Sequence, residues 1–248
     1  DMIVEQFERA AEAAAPFVAA PGMRPGVRVR RAVEASMAAA GCNTNLGILL
    51  LCVPLAAAFQ RLSLAGEAEG EAEAEAEGET SLRSSLAVVL NSLGVDDADE
   101  VFRAIVAASP GGLGRASEAD VAGPATVTLR QAMALAADRD RIARAYVDVY
   151  EDVFGFALPA LAEARASLPT AELGVSALHM RLLAAFPDSH IARKYGSAIA
   201  DSVRIEAARL VHLIQPRLAA GAVGELLRFD CDLKHRGLNP GTTADFVV

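Results

Sequence analysis

The chain has 248 residues, of which 53% are hydrophobic and 5% aromatic, with no tryptophan and a net charge of −9. That length supports one large domain or two small ones, with ample material for a core. The acidic balance argues against a general nucleic-acid binder, which needs a basic face, but leaves room for a local basic pocket. Along the chain, Ile3, Phe7, Ala10, Ala14 and Phe17 mark one face of a first helix, broken between Pro21 and Pro25. Val29, Val33 and Met37 mark a second, ended by Gly41. Residues 46–64 are apolar all round, as a buried central helix is. The uninterrupted apolar run at 46–59 reads as too short for a membrane span, and it contains Pro54. Residues 66–80 are almost only Gly, Glu and Ala, so an inserted, solvated loop or frayed helix is expected there. Helices are predicted over 81–93 and 99–108, with Asp97 and Glu100 as a capping signal. An irregular stretch follows at 110–123. Helical patterns resume over 126–137, 139–154, 159–167, 170–186, 190–214 and 223–236. Gly237 fits a C′ glycine, and Thr242 or Thr243 fits the cap of a last helix. No period-two pattern and no fixed repeat occur. The expected fold is all-α, a single multi-helix domain over residues 1–248 around a buried central helix.

Three polar segments exceed what helix building requires. Asn43, Thr44 and Asn45 precede the most apolar helix, whose N-terminus suits a phosphate. His190, Arg193 and Lys194 follow Asp188 about one turn apart, which suits a polyphosphate, although a charged solvent face has the same pattern. The run from His235 to Asp245 is the strongest. Its Gly/Pro/Asn turn can form an anion nest ahead of hydroxyls and a carboxylate. A glycine-rich stretch at 111–115 lacks GK[ST] and follows a helix, so dinucleotide and Walker readings fail. Glu118 and Asp120 are closely spaced carboxylates of the kind Mg²⁺ shares with phosphates. His179 and His212, within apolar helices, read as core histidines.

Cys42, Cys52 and Cys231 form no CxxC pair. A reducing cytoplasm is therefore expected rather than a disulfide framework or zinc site. The chain begins abruptly at Asp1 and stops at Val248 within an apolar stretch, so one or both natural ends are expected to lie beyond it.

Asn43-Thr44-Asn45-Leu46-Gly47 ahead of an apolar helix, with Asn239-Pro240-Gly241-Thr242-Thr243-Ala244-Asp245 near the end, resembles the triphosphoribosyl-dephospho-CoA synthase family. The order between them agrees. Glu118-Ala119-Asp120 is similar to an acidic Glu-Ala-Glu segment, Asp188 to Gly196 lies where the family has a polar Asp-containing segment, and Phe229-Asp230 precedes the last motif. The resemblance runs over most of the chain. It departs from the family where Asn-Thr-His-Lys-Gly becomes Asn43–Gly47 without His and Lys, and where Pro-Gly-Gly-Ser-Ala-Asp becomes Pro240–Asp245. An early Lys-Pro-Gly segment is not present.

The resemblance implies a cytoplasmic, helical transferase. It would move the triphosphoribosyl group of ATP to dephospho-CoA or a related acceptor, release adenine, and supply a prosthetic-group precursor for citrate lyase or malonate decarboxylase. Asp188 and Asp245 would be catalytic, stabilising oxocarbenium charge or deprotonating the attacking hydroxyl. Glu118 and Asp120 would hold Mg²⁺, while His190, Arg193, Lys194 and Arg236 would serve the phosphates. Asn43, Thr44, Asn45, Asn239, Gly241, Thr242 and Thr243 would position sugar or phosphate oxygens, the first and last motifs forming two walls of one site. The expected partners are ATP and a dephospho-CoA-like molecule, with a homodimer as a possible assembly and neither nucleic acid nor membrane. Two other readings stand beside this one: a Mg-dependent phosphohydrolase or nucleotidyl-transfer enzyme, and an inactive helical binding protein.

Overall fold

A computed structural model describes residues 3–69, 75–108, 120–214 and 218–248. Among these residues the protein is built of helices, with no strand. The first five are α1 (Val4–Val18), α2 (Pro25–Ala40), α3 (Leu46–Glu69), α4 (Glu75–Ser92) and α5 (Val95–Ala108). Then come α6 (Leu129–Ala136), α7 (Arg141–Asp148), a π-helical turn (Asp152–Ala157), α8 (Leu158–Ser167) and α9 (Ala171–Ala185). The last are α10 (Ser189–Tyr195), α11 (Ser197–Leu210), a 3₁₀ turn (Val211–Leu213), α12 (Ala222–His235) and α13 (Gly241–Asp245). The all-α fold is as expected, and within it the chain forms two compact units, residues 1–138 with 142–150, and residues 139–141 with 151–248. The Gly/Glu/Ala tract, read as a loop or frayed helix, has helical backbone at 66–69 and 75–80. Glu and Ala are strong helix formers.

The first unit is organised around α3. The helix Leu46–Leu64 is long and apolar enough to cross a bilayer by length and composition, longer than the run that suggested otherwise. In this unit it is a core helix, with Leu49, Leu50, Leu51, Val53 and Ala58 buried. Pro54 has no N–H, so the Leu50 carbonyl one turn earlier loses its helical donor. Two fully buried tyrosines replace it. The Tyr146 hydroxyl donates to Leu50 O at 2.7 Å, and Tyr150 donates to Leu50 O at 3.3 Å and Leu51 O at 3.1 Å.

Helix α5 starts four residues before its predicted position. Asp97 is therefore inside the helix rather than its cap, and its carboxylate accepts from Gly94 N (3.2 Å) and from Gly26 N in the first turn of α2 (2.9 Å). Gly26 is required there, because a Cβ would stand 2.6 Å from Asp97 Cα. The predicted helix 139–154 is also interrupted. Val149 and Tyr150 adopt φ of 56° and 57°, costly for a β-branched residue. Arg83 donates to the carbonyls of Asp148 and Val149, and Arg130 to those of Tyr146 and Val147. These four carbonyls end a helix and would otherwise lack donors.

The second unit packs Met180 and Leu183 of α9, Ile191 of α10, Ala200, Val203 and Ala207 of α11, and Leu233 and Leu238 into one cluster. The predicted helix 190–214 breaks at Gly196, whose φ of 95° and ψ of 155° suit glycine alone. Helix α12 closes as predicted. Gly237 takes φ of 68°, its N–H reaching Lys234 O and that of Leu238 reaching Leu233 O, a Schellman motif with its Leu233–Leu238 contact. His212 lies exposed on the 3₁₀ turn rather than in the core, and His179 is half-buried.

Candidate active site

The site is built by one carboxylate that caps two helices. Asp188 Oδ1 accepts from Ile191 N at 3.0 Å, the side-chain cap of α10. Its Oδ2 accepts from Thr243 N at 2.7 Å and from Thr243 Oγ1 at 2.8 Å. Thr242 and Thr243 therefore do not cap α13. They lie inside it, buried, and Asp188 supplies the missing cap by accepting the amide at the third position of the helix. The Asp188 and Asn239–Asp245 segments, 50 residues apart in sequence, are brought together in this way. Tyr195 adds a second tie, its hydroxyl donating to Gly237 O at 2.8 Å.

Asp245, one turn along α13, shows the marks of a functional carboxyl. Burial, then the charges of Asp188 and Asp140, push it up to about 7, against a smaller pull downward from Arg193. No hydrogen bond or ion pair among the described residues takes its carboxyl. Arg193 reaches Asp140 Oδ2 at 3.5 Å and His190 Nδ1 at 3.2 Å. His190 is held below the usual histidine range, by burial first and then by Arg193. Lys194 is exposed and stands 5.2 Å from the Tyr195 ring centroid. Such a group of interacting acids and bases, one titrating near neutrality, is what acid–base chemistry requires.

Beside it lies a small pocket lined by Arg141, Asp152, Asp188, Thr242, Thr243 and Phe246. Arg141 is ion-paired with Asp152, lies 3.6 Å from the Phe186 ring centroid, and donates its backbone N–H to Ser189 Oγ at 3.0 Å. Sequence reasoning missed Asp140, Arg141, Asp152, Phe186 and Phe246. The available signal was Asp152, the last carboxylate before the uncharged run 153–162, now at the start of the π turn; such turns favour functional positions.

The remaining predicted residues lie elsewhere or serve structure. Arg236 is paired with Glu206 at 2.7 Å and Asp232 at 2.8 Å, so its guanidinium is committed to carboxylates rather than to a phosphate. Asn239 is exposed. In the first unit, Asn43 Oδ1 accepts from Leu46 N at 3.1 Å, and Asn45 Nδ2 donates to Ser36 Oγ at 3.0 Å, which donates to Ala10 O. Thr44 Oγ1 is buried without a partner. Glu118 lies outside the described residues. Asp120 accepts from Ala122 N at 2.9 Å within a turn. No group of three metal-binding side chains occurs among the described residues. Mg²⁺ that arrives on a nucleotide's own phosphates needs only one or two protein carboxylates.

A helical scaffold that holds a perturbed carboxyl beside an arginine, a histidine and a second acid has the make-up of an enzyme. The chain belongs to the ATP:dephospho-CoA triphosphoribosyl transferase family, whose model matches residues 1–248. It is also similar to a crystal structure of a proposed triphosphoribosyl-dephospho-CoA synthase from Archaeoglobus fulgidus. The two are 24% identical, with a TM-score of 0.67 over 98% of this chain and 94% of that one. This second likeness concerns the fold. No curated protein sequence matches the chain.

Proposed function

We propose that the protein transfers the triphosphoribosyl group of ATP to a hydroxyl of dephospho-CoA or a related acceptor, with release of adenine, in the cytoplasm. The observation that carries this reading is Asp245, a half-buried carboxyl pushed up to about 7 that no hydrogen bond or ion pair among the described residues takes. Transfer breaks the ribose C1′–N bond to adenine and forms a C1′–O bond to the acceptor. The Asp245 carboxylate faces the oxocarbenium-like centre as the C1′–N bond breaks, takes the proton of the attacking hydroxyl as the C1′–O bond forms, and that proton leaves with adenine. Asp188 holds the turn that carries Asp245 rather than acting on substrate, since its oxygens already take three hydrogen bonds. Lys194, exposed at the end of α10, meets the triphosphate, and Mg²⁺ enters as part of the substrate MgATP.

The test is incubation with MgATP, with and without dephospho-CoA, while adenine, phosphate and pyrophosphate are followed. Adenine that appears only with the acceptor supports transfer. Phosphate or pyrophosphate without adenine assigns a phosphohydrolase instead, and no turnover and no ATP binding assigns an inactive binding protein.

A further inference from the structure

The His190 ring is fixed from two sides. Its Nδ1 lies 3.2 Å from a guanidinium nitrogen of Arg193. Gly241 neighbours its other side, where a Cβ would stand in ordinary van der Waals contact, 3.5 Å from the ring Cγ. A guanidinium has five donors and no acceptor, and it keeps its charge in proteins. The Nδ1 at the other end of that bond must therefore present its lone pair. In the neutral ring the proton then sits on Nε2. The charged groups around the ring act the same way: Arg193 and Lys194 on α10 disfavour a second proton. Asp188 favours one, but its oxygens are engaged by Ile191 and Thr243.

We infer that His190 serves this site as a neutral hydrogen-bond donor through Nε2, set in that tautomer by Arg193, and reads an uncharged acceptor atom of a nucleoside rather than a phosphate. The choice of a nucleoside rests on the transfer reading above; the tautomer does not. A polyphosphate collects cations, whereas a single directional N–H discriminates a ring nitrogen or sugar oxygen. His190 thus separates from Arg193 and Lys194, with which the sequence groups it as a phosphate ligand. Arg193 becomes a positioning residue acting through His190.

Two measurements test this. The first is a two-bond ¹H–¹⁵N correlation of the histidine rings in the intact protein at pH 7, which should show His190 neutral and protonated at Nε2. In Arg193→Met the ring should gain its second proton at higher pH than in the wild type. The second is calorimetric binding of MgATP, dephospho-CoA and inorganic tripolyphosphate. His190→Ala should weaken one nucleotide ~10-fold, the worth of a single hydrogen bond, and leave tripolyphosphate unchanged. Whichever nucleotide weakens holds the acceptor atom. His190→Gln, which keeps an N–H at similar reach, should recover most of the loss. An imidazolium or Nδ1–H ring at pH 7 overturns the inference. So does an equal loss of tripolyphosphate binding, or His190→Gln no better than His190→Ala. Wild-type protein that binds neither nucleotide overturns both this inference and the transfer reading. Nucleotide binding without adenine release overturns only the latter.

Discussion

The two polar turns at residues 43–47 and 239–245 look alike in sequence, each an Asn/Thr/Gly cluster ahead of a helix, but they spend their side chains differently. The first supplies its own cap: Asn43 meets Leu46 N, and Asn45 reaches Ser36, which ties back to Ala10. The second is capped by a carboxylate from another helix, because Asp188 takes both the amide and the hydroxyl of Thr243. A turn that caps itself uses up its polar groups. A turn capped from elsewhere can leave a group such as Asp245 for chemistry.

The sharpest test of that contrast is a pair of variants. Asp245→Asn is expected to lower turnover ~10²- to 10⁴-fold, the usual worth of a positioned acid or base, with the circular dichroism spectrum unchanged. Acting as a base, Asp245 makes the wild-type rate rise with pH through about 7. Its stability effect has the opposite course. A carboxyl whose folded pKa is raised stabilises the fold below its unfolded value of 3.8, and that contribution is lost as pH rises through about 7. Asp245→Asn should therefore raise Tm more at pH 8 than at pH 5. Asn45→Ala in the first turn should do the reverse of Asp245→Asn, costing ~1–2 kcal/mol of stability by denaturant titration with little change in kcat. Equal loss of activity in both would erase the distinction between the turns.

Asp188→Ala tests the external cap. Two helix caps of ~1 kcal/mol each and the bond to a buried hydroxyl are lost together, so a cost of about 3 kcal/mol is expected. Loss of its negative charge should also move the acid limb of the rate profile to lower pH, since Asp188 is one of the charges that raise Asp245. An unmoved limb would separate Asp188 from the titration.

The helices and the second turn were legible in sequence because local signals set them: the Gly41 and Gly237 stops and the apolar face of α2. The breaks at Val149 and Gly196 were not. Arg83 binds the Val149 carbonyl from 66 residues upstream and Arg130 the Val147 carbonyl from 17 residues upstream, and no window of sequence contains such a clamp. Asp245 and Asp188 were legible as carboxylates at turns, but not their division of labour. Arg141, Asp140 and Asp152 fall inside the helical pattern predicted over 139–154, which assigns them no role. Only the fold places Arg141 between Asp152 and Phe186.

The smallest expected effect belongs to Thr44, the residue that complicates the comparison. Its hydroxyl is buried and unpaired, a polar group of the first turn that packing does not use. Burial of an unsatisfied hydroxyl costs about 1 kcal/mol or more, so the isosteric Thr44→Val should be as stable as the wild type or more so by roughly that amount. If the turn is purely structural, KM for MgATP is unchanged and the gain comes without loss. If the hydroxyl meets a substrate oxygen, the same variant gains stability in the absence of nucleotide yet loses several-fold in KM, and nucleotide no longer raises its Tm as far as it raises that of the wild type. Thr44→Ser, which keeps the oxygen and drops the methyl, then separates the two cases: it should restore KM only where the hydroxyl itself touches substrate.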